Sequence, residues 1–479
     1  MSFRSEAIDL LDELVAHEAE SITGSVAVVG LSPMDTLVER LSLREHVKRG
    51  GLEGAQLKEF LHSYLQATAR LHHPGSLAHQ VAVPHHSGAL AALLGGFTNN
   101  PMAIFEMGPA AATIEYFVVN WLLEKIGWTT APYCRNTDST SVHGGGIFTH
   151  GGSLANLTAL VAARTHLLPD VWQTGSPADL ALLASPESHY SVSRAAGILG
   201  IGRGNIYELE VGPDGCILPD RVPPVLARVI ADGKRVLALV ASACTTALGR
   251  FDPLRVLGEI CRDRGIWFHV DGAHGAAALL SPRHRGLLDG IELADSVTWD
   301  AHKLMRTPGP CTALLVRDER TLDGAFEQHA SYLFHDKEQI GIDLVHRTVE
   351  CTKAGLGLRL FLVLATLGER GLADYVEDRF AFARQAHDFI RDLPDFECAA
   401  EPQSNILCFR YRDSDEFQLK VRDQLLAEGA FHLSTATFGP KRFLRAVFTT
   451  PHTKMCHVEH LVDRIRAIRS TAGRRSADG

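Results

Sequence analysis

The sequence has no apolar run long enough to cross a membrane. A transmembrane helix needs ~18 or more consecutive apolar residues, and no stretch of the 479 residues approaches that length. The N-terminal stretch MSFRSEAIDLLDELVAHEAE mixes acids with Leu, Val and Ile, which predicts an amphipathic helix and not a signal peptide. We therefore expect a cytoplasmic protein with no membrane partner.

The sequence also lacks an excess of basic residues. It has 47 Lys and Arg against 56 Asp and Glu, a net charge of -9. A protein that wraps nucleic acid neutralises phosphates with a basic surface. This balance argues against a nucleic-acid partner.

Paired cysteines and metal-binding motifs are missing as well. The nine cysteines include no C-x-x-C pair, which is typical of reduced thiols in a cytosolic protein. The 24 histidines form no H-x-x-x-H or H-E-x-x-H pattern on a predicted helix. We set a metal hydrolase aside and predict no metal site.

What is present is an alternation of apolar strands and helices in the middle of the chain. LALLASP, RVLALVASA, IWFHVDGA, ADSVTWDAH and CTALLVRD read as strands, with helical segments between several of them. This alternation predicts an α/β fold with a mostly parallel sheet covered on both faces. Ligands of such sheets bind at the carboxyl ends of the strands.

The chain divides into four predicted segments. We expect a helical segment at 1–75, a large α/β domain at 76–355, a small C-terminal α+β domain at 356–470 and a disordered tail at 471–479. A long helix is predicted from about residue 355, with a break near Gly368 or Gly371. Gly144, Gly145 and Gly146 are predicted to interrupt the chain before another helix.

Two ionisable residues follow predicted strands. Lys303, in TWDAHKLM, can form an imine with an aldehyde cofactor if its pKa is lowered, but most lysines in such positions are solvated surface residues. Asp271 ends the apolar strand IWFHVD, where a carboxylate needs a partner. That partner is either a protonated pyridine nitrogen of a cofactor or the amides of the next turn, at Ala273 or His274.

Two further motifs precede them in the chain. In FTHGGSLANL, Gly152 allows close backbone approach, and Ser153 either caps the following helix or bonds a phosphate oxygen. In SPESHYSVSRAA, His189 opens a helix after a short strand and either stacks on a planar ring or faces solvent. Each motif alone is ambiguous.

Their order and spacing resemble the group II pyridoxal 5′-phosphate (PLP)-dependent decarboxylases, the family of glutamate, aromatic L-amino-acid and L-2,4-diaminobutyrate decarboxylases. The resemblance extends from about residue 70 to 450 and is densest in SPESHYSVSRAAGILGIG, in FDPLRVLGEICRDRGIWFHVDGAHGAAALL and in ADSVTWDAHKLM. It implies PLP fold type I, which is aspartate aminotransferase-like, with a large domain built on a mostly parallel seven-stranded sheet and a smaller C-terminal α+β domain. It also implies decarboxylation of an L-amino acid to an amine and CO₂ through a quinonoid intermediate.

The resemblance assigns a role to each matching residue. Lys303 matches the Schiff-base lysine, Asp271 the partner of the pyridine nitrogen and His189 the histidine stacked on the ring. The other cofactor contacts match the ring's second face, the phosphate turn, the residue before the lysine and a nearby threonine: Ala273, Gly152, Ser153, His302 and Thr246. Tyr332, in HASYLFHD, matches the tyrosine of the mobile catalytic loop, which favours simple decarboxylation; its alternative is a packing residue in a misjudged register.

The chain departs from the family pattern at several positions. Lys353 and Ala354 stand where many members have a basic pair, and Cys244 replaces a glycine. Asp300 replaces an asparagine, and a carboxylate near a phosphate is unfavourable unless it points away or meets a cation.

The substrate pocket and the partner are implied by the same resemblance. The loop LAHQVAVPHHSG and the segment FTNNPMAIFEMGPAA supply mostly polar candidates for substrate binding, His79, Gln80, His85 and Phe105, although loop histidines are often surface residues. A polar substrate side chain is therefore favoured. The family's interlocked N-terminal helices imply a homodimer, with 1–75 as the dimerisation segment and the active site at the interface.

Two alternatives stay open. One is another PLP reaction on the same fold, such as transamination, aldehyde-forming oxidative deamination or a lyase step. The other is a catalytically silent relative that serves as a binding partner, which the intact set of Lys303, Asp271 and His189 disfavours.

Overall fold

The computed structural model describes residues 2–133, 141–326 and 341–475. The helices in chain order are α1 Phe3–Thr23, α2 Met34–Arg40, α3 Leu43–Arg49, α4 Gly54–Gln66, α5 His86–Thr98, α6 Pro109–Ile126, α7 Gly152–Leu167, α8 Val171–Thr174, α9 Ser191–Ile198, α10 Val222–Ala231, α11 Leu254–Arg264, α12 Glu319–Asp323, α13 Gly357–Arg391, α14 Asp415–Ala427 and α15 Met455–Arg475. The strands are β1 Gly145–Thr149, β2 Leu180–Ala184, β3 Ile206–Glu208, β4 Arg235–Ser242, β5 Trp267–Asp271, β6 Ser296–Asp300, β7 Thr312–Val316, β8 Phe396–Cys398, β9 Ile406–Tyr411, β10 Ser434–Phe438 and β11 Lys441–Val447. Within these ranges no helix has the length and apolar character of a membrane span.

The chain forms two compact units. The larger consists of Gln80–Ala381 and Pro402–Asn405, and the smaller of Met1–His79, Phe382–Glu401 and Ile406–Gly479. These units divide the chain differently from the predicted segments, because the N-terminal segment joins the C-terminal elements through backbone pairing such as that of Ser76 with His432. The predicted boundaries at 75, 355 and 470 stay a prediction about domains.

The larger unit is built on a seven-stranded sheet in the order β1-β7-β6-β5-β4-β2-β3. Strand β7 runs antiparallel to both of its neighbours, and the other adjacent pairs are parallel. This confirms the predicted mostly parallel sheet of seven strands. Two strands, β1 and β3, were not predicted; β3 has three residues, too few to show a periodic pattern.

Both faces of this sheet are buried, which explains its apolar strands. Successive residues point to opposite faces, so Leu182 and Leu183 belong to different hydrophobic clusters, as do Leu314 and Leu315. All four are fully buried, and a buried leucine side chain contributes roughly 1.5–3 kcal/mol relative to an exposed one.

The glycines before α7 do not interrupt the structure as predicted. Gly145 and Gly146 begin β1, the edge strand beside β7. A Cβ on Gly146 would lie 2.5 Å from the carbonyl oxygen of Leu314, and one on Gly145 would lie 2.6 Å from the Cβ of Glu319. Glycine is therefore required here for close packing of the strand.

The smaller unit contains a four-stranded antiparallel sheet in the order β10-β11-β9-β8, with α14 and α15. This confirms a smaller α+β part with its own sheet. Helix α15 continues to Arg475, into the segment predicted to be a disordered tail, and the Thr471 hydroxyl donates to the carbonyl of Ile468 in its last turns. The predicted break in the long helix falls at Gly368, whose φ of 69° is accessible mainly to glycine.

Candidate active site

Five strands of the large sheet deliver their carboxyl ends to one edge. Strands β1, β2, β4, β5 and β6 run parallel and are followed by the segments that hold most of the predicted site residues. Loops at this edge are not constrained by strand pairing, which is why ligands of such sheets bind there. The strand-end positions predicted from sequence therefore meet in space.

A cavity lies at this edge, and the space free of protein atoms there, which includes space open to solvent, is about 510 Å³. The lining residues are Gln80, Gly152, Ser153, Asn156, His189, Ser242, Cys244, Thr246, Asp271, Ala273, His274, Asp300 and Lys303. Eight of the predicted site residues are thus brought together.

Asp271 is held by hydrogen bonds at both carboxylate oxygens. The backbone N–H of Ala273 donates to Oδ1 at 3.1 Å, and Nδ2 of Asn156 donates to Oδ2 at 2.8 Å. The turn-capping bond considered from sequence is therefore present, while the side chain also faces the cavity. A buried carboxylate fixed in this way can receive a protonated ligand nitrogen without reorganising.

The expected phosphate turn lies at the start of α7. Gly151 precedes the helix with a φ of 112°, and no side chain caps the helix, so the Ser153 hydroxyl lines the cavity without being used as a cap. A Cβ on Gly152 would lie 3.1 Å from Asp300 Oδ1 and 3.6 Å from the Cβ of Ala273, so glycine keeps this wall open. First-turn amides of a helix form an anion site.

Lys303 forms an ion pair within the cavity. Its Nζ lies 3.0 Å from Oδ2 of Asp300, whose Oδ1 accepts a 2.6 Å hydrogen bond from Thr312 Oγ1. Burial alone would lower the pKa of Lys303, but the carboxylates of Asp300 and Asp271 outweigh it and raise the pKa. The sequence argument required a lowered pKa for Lys303, and the structure corrects this expectation. Asp300 has a cation as its partner, and that cation is Lys303 itself, whose charged form is stabilised.

His189 lies at the start of α9. Ser191 contacts its Nδ1 through both the backbone N–H at 3.3 Å and the hydroxyl at 2.8 Å. Burial lowers the pKa of His189, partly offset by the negative charge of Asp271. The ring is therefore held neutral and in a fixed orientation, as a stacking contact requires.

Four predicted residues do not line this cavity. His302 receives the backbone N–H of Cys311 at Nδ1 (3.2 Å), and His85 caps α5 at the amide of Ser87. Phe105 packs on a core cluster of the large unit, and His79 belongs to the smaller unit, edge-on to His432 with ring centroids 5.1 Å apart. Local packing, which sequence does not show, fixes these four side chains. The remaining predicted site residue, Tyr332, lies outside the described residues.

Asn156, Ser242 and His274 line the cavity but were not predicted. Asn156 stands four residues after Gly152 on α7, and residues at that spacing share a helix face. A polar residue within the otherwise small and apolar stretch SLANLTAL was the available signal. Ser242, at the end of β4, could have been found from the strand-end rule alone.

The lining residues fit PLP. They supply an amine for the aldehyde, a buried carboxylate for the pyridine nitrogen, and a helix start with a serine for the phosphate. The described residues contain no group of three or more His, Cys, Asp or Glu arranged to hold a metal ion.

Comparison with known proteins identifies the family. Residues 59–412 match the model of the pyridoxal-dependent decarboxylase conserved domain. The chain is 28% identical to mouse acidic amino acid decarboxylase GADL1, over 97% of this chain and 86% of that protein. It is 27% identical to L-2,4-diaminobutyrate decarboxylase of Acinetobacter baumannii, over 86% and 83% of the two proteins.

A solved structure supports the same conclusion. The crystal structure of mouse CSAD in apo form superposes with a TM-score of 0.86 at 25% identity, covering 97% of this chain and 98% of that one. The predicted group II family, its fold and its cofactor are confirmed. The chain belongs to the pyridoxal-dependent decarboxylases and is an amino-acid carboxy-lyase that uses PLP.

Proposed function

We propose that this enzyme decarboxylates an L-amino acid with a short polar side chain and releases the corresponding amine. The observation that carries the proposal is the composition of the cavity. Its described lining includes Gln80, Lys303 and Asp300 but no Phe, Tyr or Trp. An aromatic substrate side chain would gain little from such walls, whereas a polar one can form hydrogen bonds.

The residues of the chain have complementary roles in this reaction. PLP, when bound, supplies the electron sink that accepts the bonding electrons of the departing carboxylate. Asp271 would keep the pyridine nitrogen protonated, and Lys303 would provide the amine that attaches the cofactor and assists release of the product. The start of α7 and Ser153 would hold the phosphate, and the ring of His189 would pack against the cofactor and exclude water.

Two relatives make a polar substrate the first to test. Their names state an acidic amino acid and L-2,4-diaminobutyrate as substrates. These side chains carry opposite charges but share a short polar group. Gln80, whose amide both donates and accepts hydrogen bonds, suits either.

The test is CO₂ release from the PLP-loaded enzyme. The panel contains the proteinogenic L-amino acids, 2,4-diaminobutyrate, ornithine and cysteine sulfinate, with amine recovery measured for each. We expect turnover of one or a few polar substrates and none of tryptophan or tyrosine. Preferential turnover of an aromatic amino acid would overturn the substrate proposal while leaving the decarboxylase assignment intact.

We also propose that the product is an amine and not an aldehyde, which rests on the predicted role of Tyr332. If this tyrosine delivers the proton to the substrate carbon, Tyr332→Phe lowers amine yield; dissolved O₂ then oxidises the unprotonated carbon, and water releases aldehyde and ammonia while O₂ is reduced to hydrogen peroxide. Both products are measured with the best substrate of the panel. Aldehyde as the main product of the unaltered enzyme would contradict the proposal.

We propose that two copies of the chain assemble as a homodimer. Each unit has a helix with exposed large apolar side chains: Phe3, Ile8, Leu11, Leu14 and Val15 on α1, and Leu90, Leu93, Leu94 and Phe97 on α5. Phe97 is 70% exposed, and clustered exposure of this kind marks protein interfaces.

Light scattering after gel filtration tests the assembly. We expect a dimer, and expect Leu94→Glu to shift it toward monomer while Ile230→Glu, at an exposed apolar position on α10 outside the predicted dimerisation segment, does not. A PLP-bound monomer would rule the dimer out.

A further inference from the structure

A chain of hydrogen bonds runs behind the cavity and has Asn156 at its centre. Nδ2 of Asn156 donates to Asp271 at 2.8 Å and to the Ser191 hydroxyl at 2.9 Å. Its Oδ1 lies 2.7 Å from Thr298 Oγ1 and 3.0 Å from Nε2 of His269. Asn156 is 1% exposed, so water does not substitute for these partners.

The direction of each bond in this chain is determined. An ionised carboxylate accepts only, which orients Nδ2 of Asn156 toward Asp271 and leaves Oδ1 for two donors. His269 must then donate through Nε2–H and accept at Nδ1, where the Ser296 hydroxyl lies 2.8 Å away. Trp267 Nε1–H donates to the oxygen of that hydroxyl at 2.8 Å, so the Ser296 hydroxyl proton is available to donate to His269 Nδ1.

The same direction continues to His189. Asn156 donates to the oxygen of Ser191, so the Ser191 hydroxyl proton is available to Nδ1 of His189. The backbone N–H of Ser191 also points to Nδ1. With two donors at Nδ1, the proton of the neutral ring must be on Nε2.

We infer that Asn156 is a positioning residue that aligns Asp271 and, through Ser191, fixes His189 in the Nε2–H tautomer. One amide thereby controls two groups on which the proposed function rests, the partner of the pyridine nitrogen and the stacked ring. Burial lowers the pKa of His269 to about 4, which keeps this histidine neutral and the chain in a single direction.

The first test reads the tautomer in the protein before PLP is added. Long-range proton–nitrogen NMR correlation on ¹⁵N-histidine-labelled enzyme distinguishes the two tautomers, and His189→Gln assigns the signal. We expect Nε2–H in the unaltered protein and a measurable share of Nδ1–H in Asn156→Ala, because the Ser191 hydroxyl is then released to rotate and accept from Nδ1, and only the longer 3.3 Å contact of the Ser191 backbone N–H still opposes this tautomer. An Nδ1–H tautomer, or an unchanged one in Asn156→Ala, overturns the inference.

The second test measures PLP affinity and the pH titration of the visible absorbance of bound PLP. Asn156→Ala loses a charge-assisted bond to Asp271, so we expect ~10- to 100-fold weaker PLP binding and an altered titration. Thr298→Val removes one donor to Oδ1 of Asn156, so its PLP affinity should lie between those of the unaltered enzyme and Asn156→Ala. The matched control is Thr158→Val, because Thr158 is buried on the same helix and its hydroxyl donates within that helix, to the carbonyl of Leu154.

The two readouts separate the inference from the proposed function. If Asn156→Ala changes the tautomer but the unaltered enzyme binds no PLP, the proposed roles of Asp271 and His189 fail and the hydrogen-bond chain stands. If PLP affinity falls equally in Asn156→Ala and Thr158→Val, Asn156 is merely structural. Should Asn156→Ala fold poorly, the isosteric Asn156→Leu removes the same donors without opening a void.

Discussion

Two lysine–carboxylate pairs of the larger unit have similar geometry and different surroundings. Lys353 lies 3.2 Å from Glu115, and Lys303 lies 3.0 Å from Asp300. The first pair is fully enclosed, with side chains 0% and 1% exposed, whereas the second borders the cavity.

The difference between the two pairs lies in how their remaining hydrogen bonds are satisfied. Glu115 also accepts the backbone N–H groups of Phe148 and Gly357, and Lys353 donates to the carbonyl of Ala354. Lys303 instead has a second carboxylate, Asp271, acting on it across the cavity. The enclosed pair is complete and structural, while the cavity pair retains capacity for a ligand.

The sharpest test of this contrast is Lys303→Ala. We expect activity to fall by ~10⁴-fold or more, because the group that attaches the cofactor is lost. Stability should fall by less than it does when the enclosed pair is broken, since Asp300 keeps its bond from Thr312 and borders the cavity. CO₂ release and denaturant unfolding measure the two effects; unfolding of the variant would place this pair with the structural one.

The complementary change is Lys353→Met in the enclosed pair, which should affect stability more strongly than Lys303→Ala does. Removing one partner leaves Glu115 buried and charged, at a cost of ~3–5 kcal/mol. Glu115→Gln combined with Lys353→Met should recover part of this, because no buried charge remains. Denaturant unfolding measures both variants, and a loss below about 1 kcal/mol in the single variant would show that the pair is not structural.

The loss in Lys353→Met should also depend on pH. Burial raises the pKa of Glu115, and Lys353 opposes that rise. Without Lys353 the folded-state pKa rises further, so the folded protein binds the proton more tightly than the unfolded one and loses stability as pH increases. The deficit should therefore be larger at about pH 8 than at about pH 5.5.

The contrast between the two lysine–carboxylate pairs also shows which parts of the fold and the site can be predicted from sequence. Asp271, Gly152 and Lys303 were predictable because strand ends and a glycine-opened helix place side chains by local rules. The strands with long apolar runs, β2, β4, β5, β6 and β7, were predictable for the same reason.

Residues that depend on distant partners were not predictable. The pairing of Lys353 with Glu115 joins positions 238 residues apart, and nothing local in VECTKAG indicates it. Likewise, sequence identified Asp300 as a departure but not that its partner is Lys303, which decides the sign of the lysine pKa shift. Phe105 and His85, chosen by position in a loop, are instead held by packing and capping.

A smaller and opposite effect is expected from Asp300→Asn. Asparagine keeps the acceptor for Thr312 but removes the charge that raises the pKa of Lys303. Each unit by which that pKa falls gives about tenfold more neutral amine near pH 7, so we expect PLP to attach up to ~10-fold faster. Stopped-flow absorbance measures the rate, and slower attachment would show that Asp300 helps the lysine lose its proton.

The smallest expected effect is that of Thr312→Val. The Thr312 hydroxyl stabilises the Asp300 carboxylate through a 2.6 Å bond and so competes with Lys303 for its charge. Without it, Asp300 should hold the lysine ammonium more tightly and slow PLP attachment by ~2- to 3-fold, as expected for a net hydrogen bond of about 0.5 kcal/mol. Thr158→Val controls for loss of a buried hydroxyl elsewhere. If Thr312→Val slows PLP attachment while Asp300→Asn accelerates it, the charge of Asp300 sets the reactivity of Lys303. If both variants change the rate in the same direction, the hydrogen bond between Thr312 and Asp300, and not the charge of Asp300, is the controlling feature.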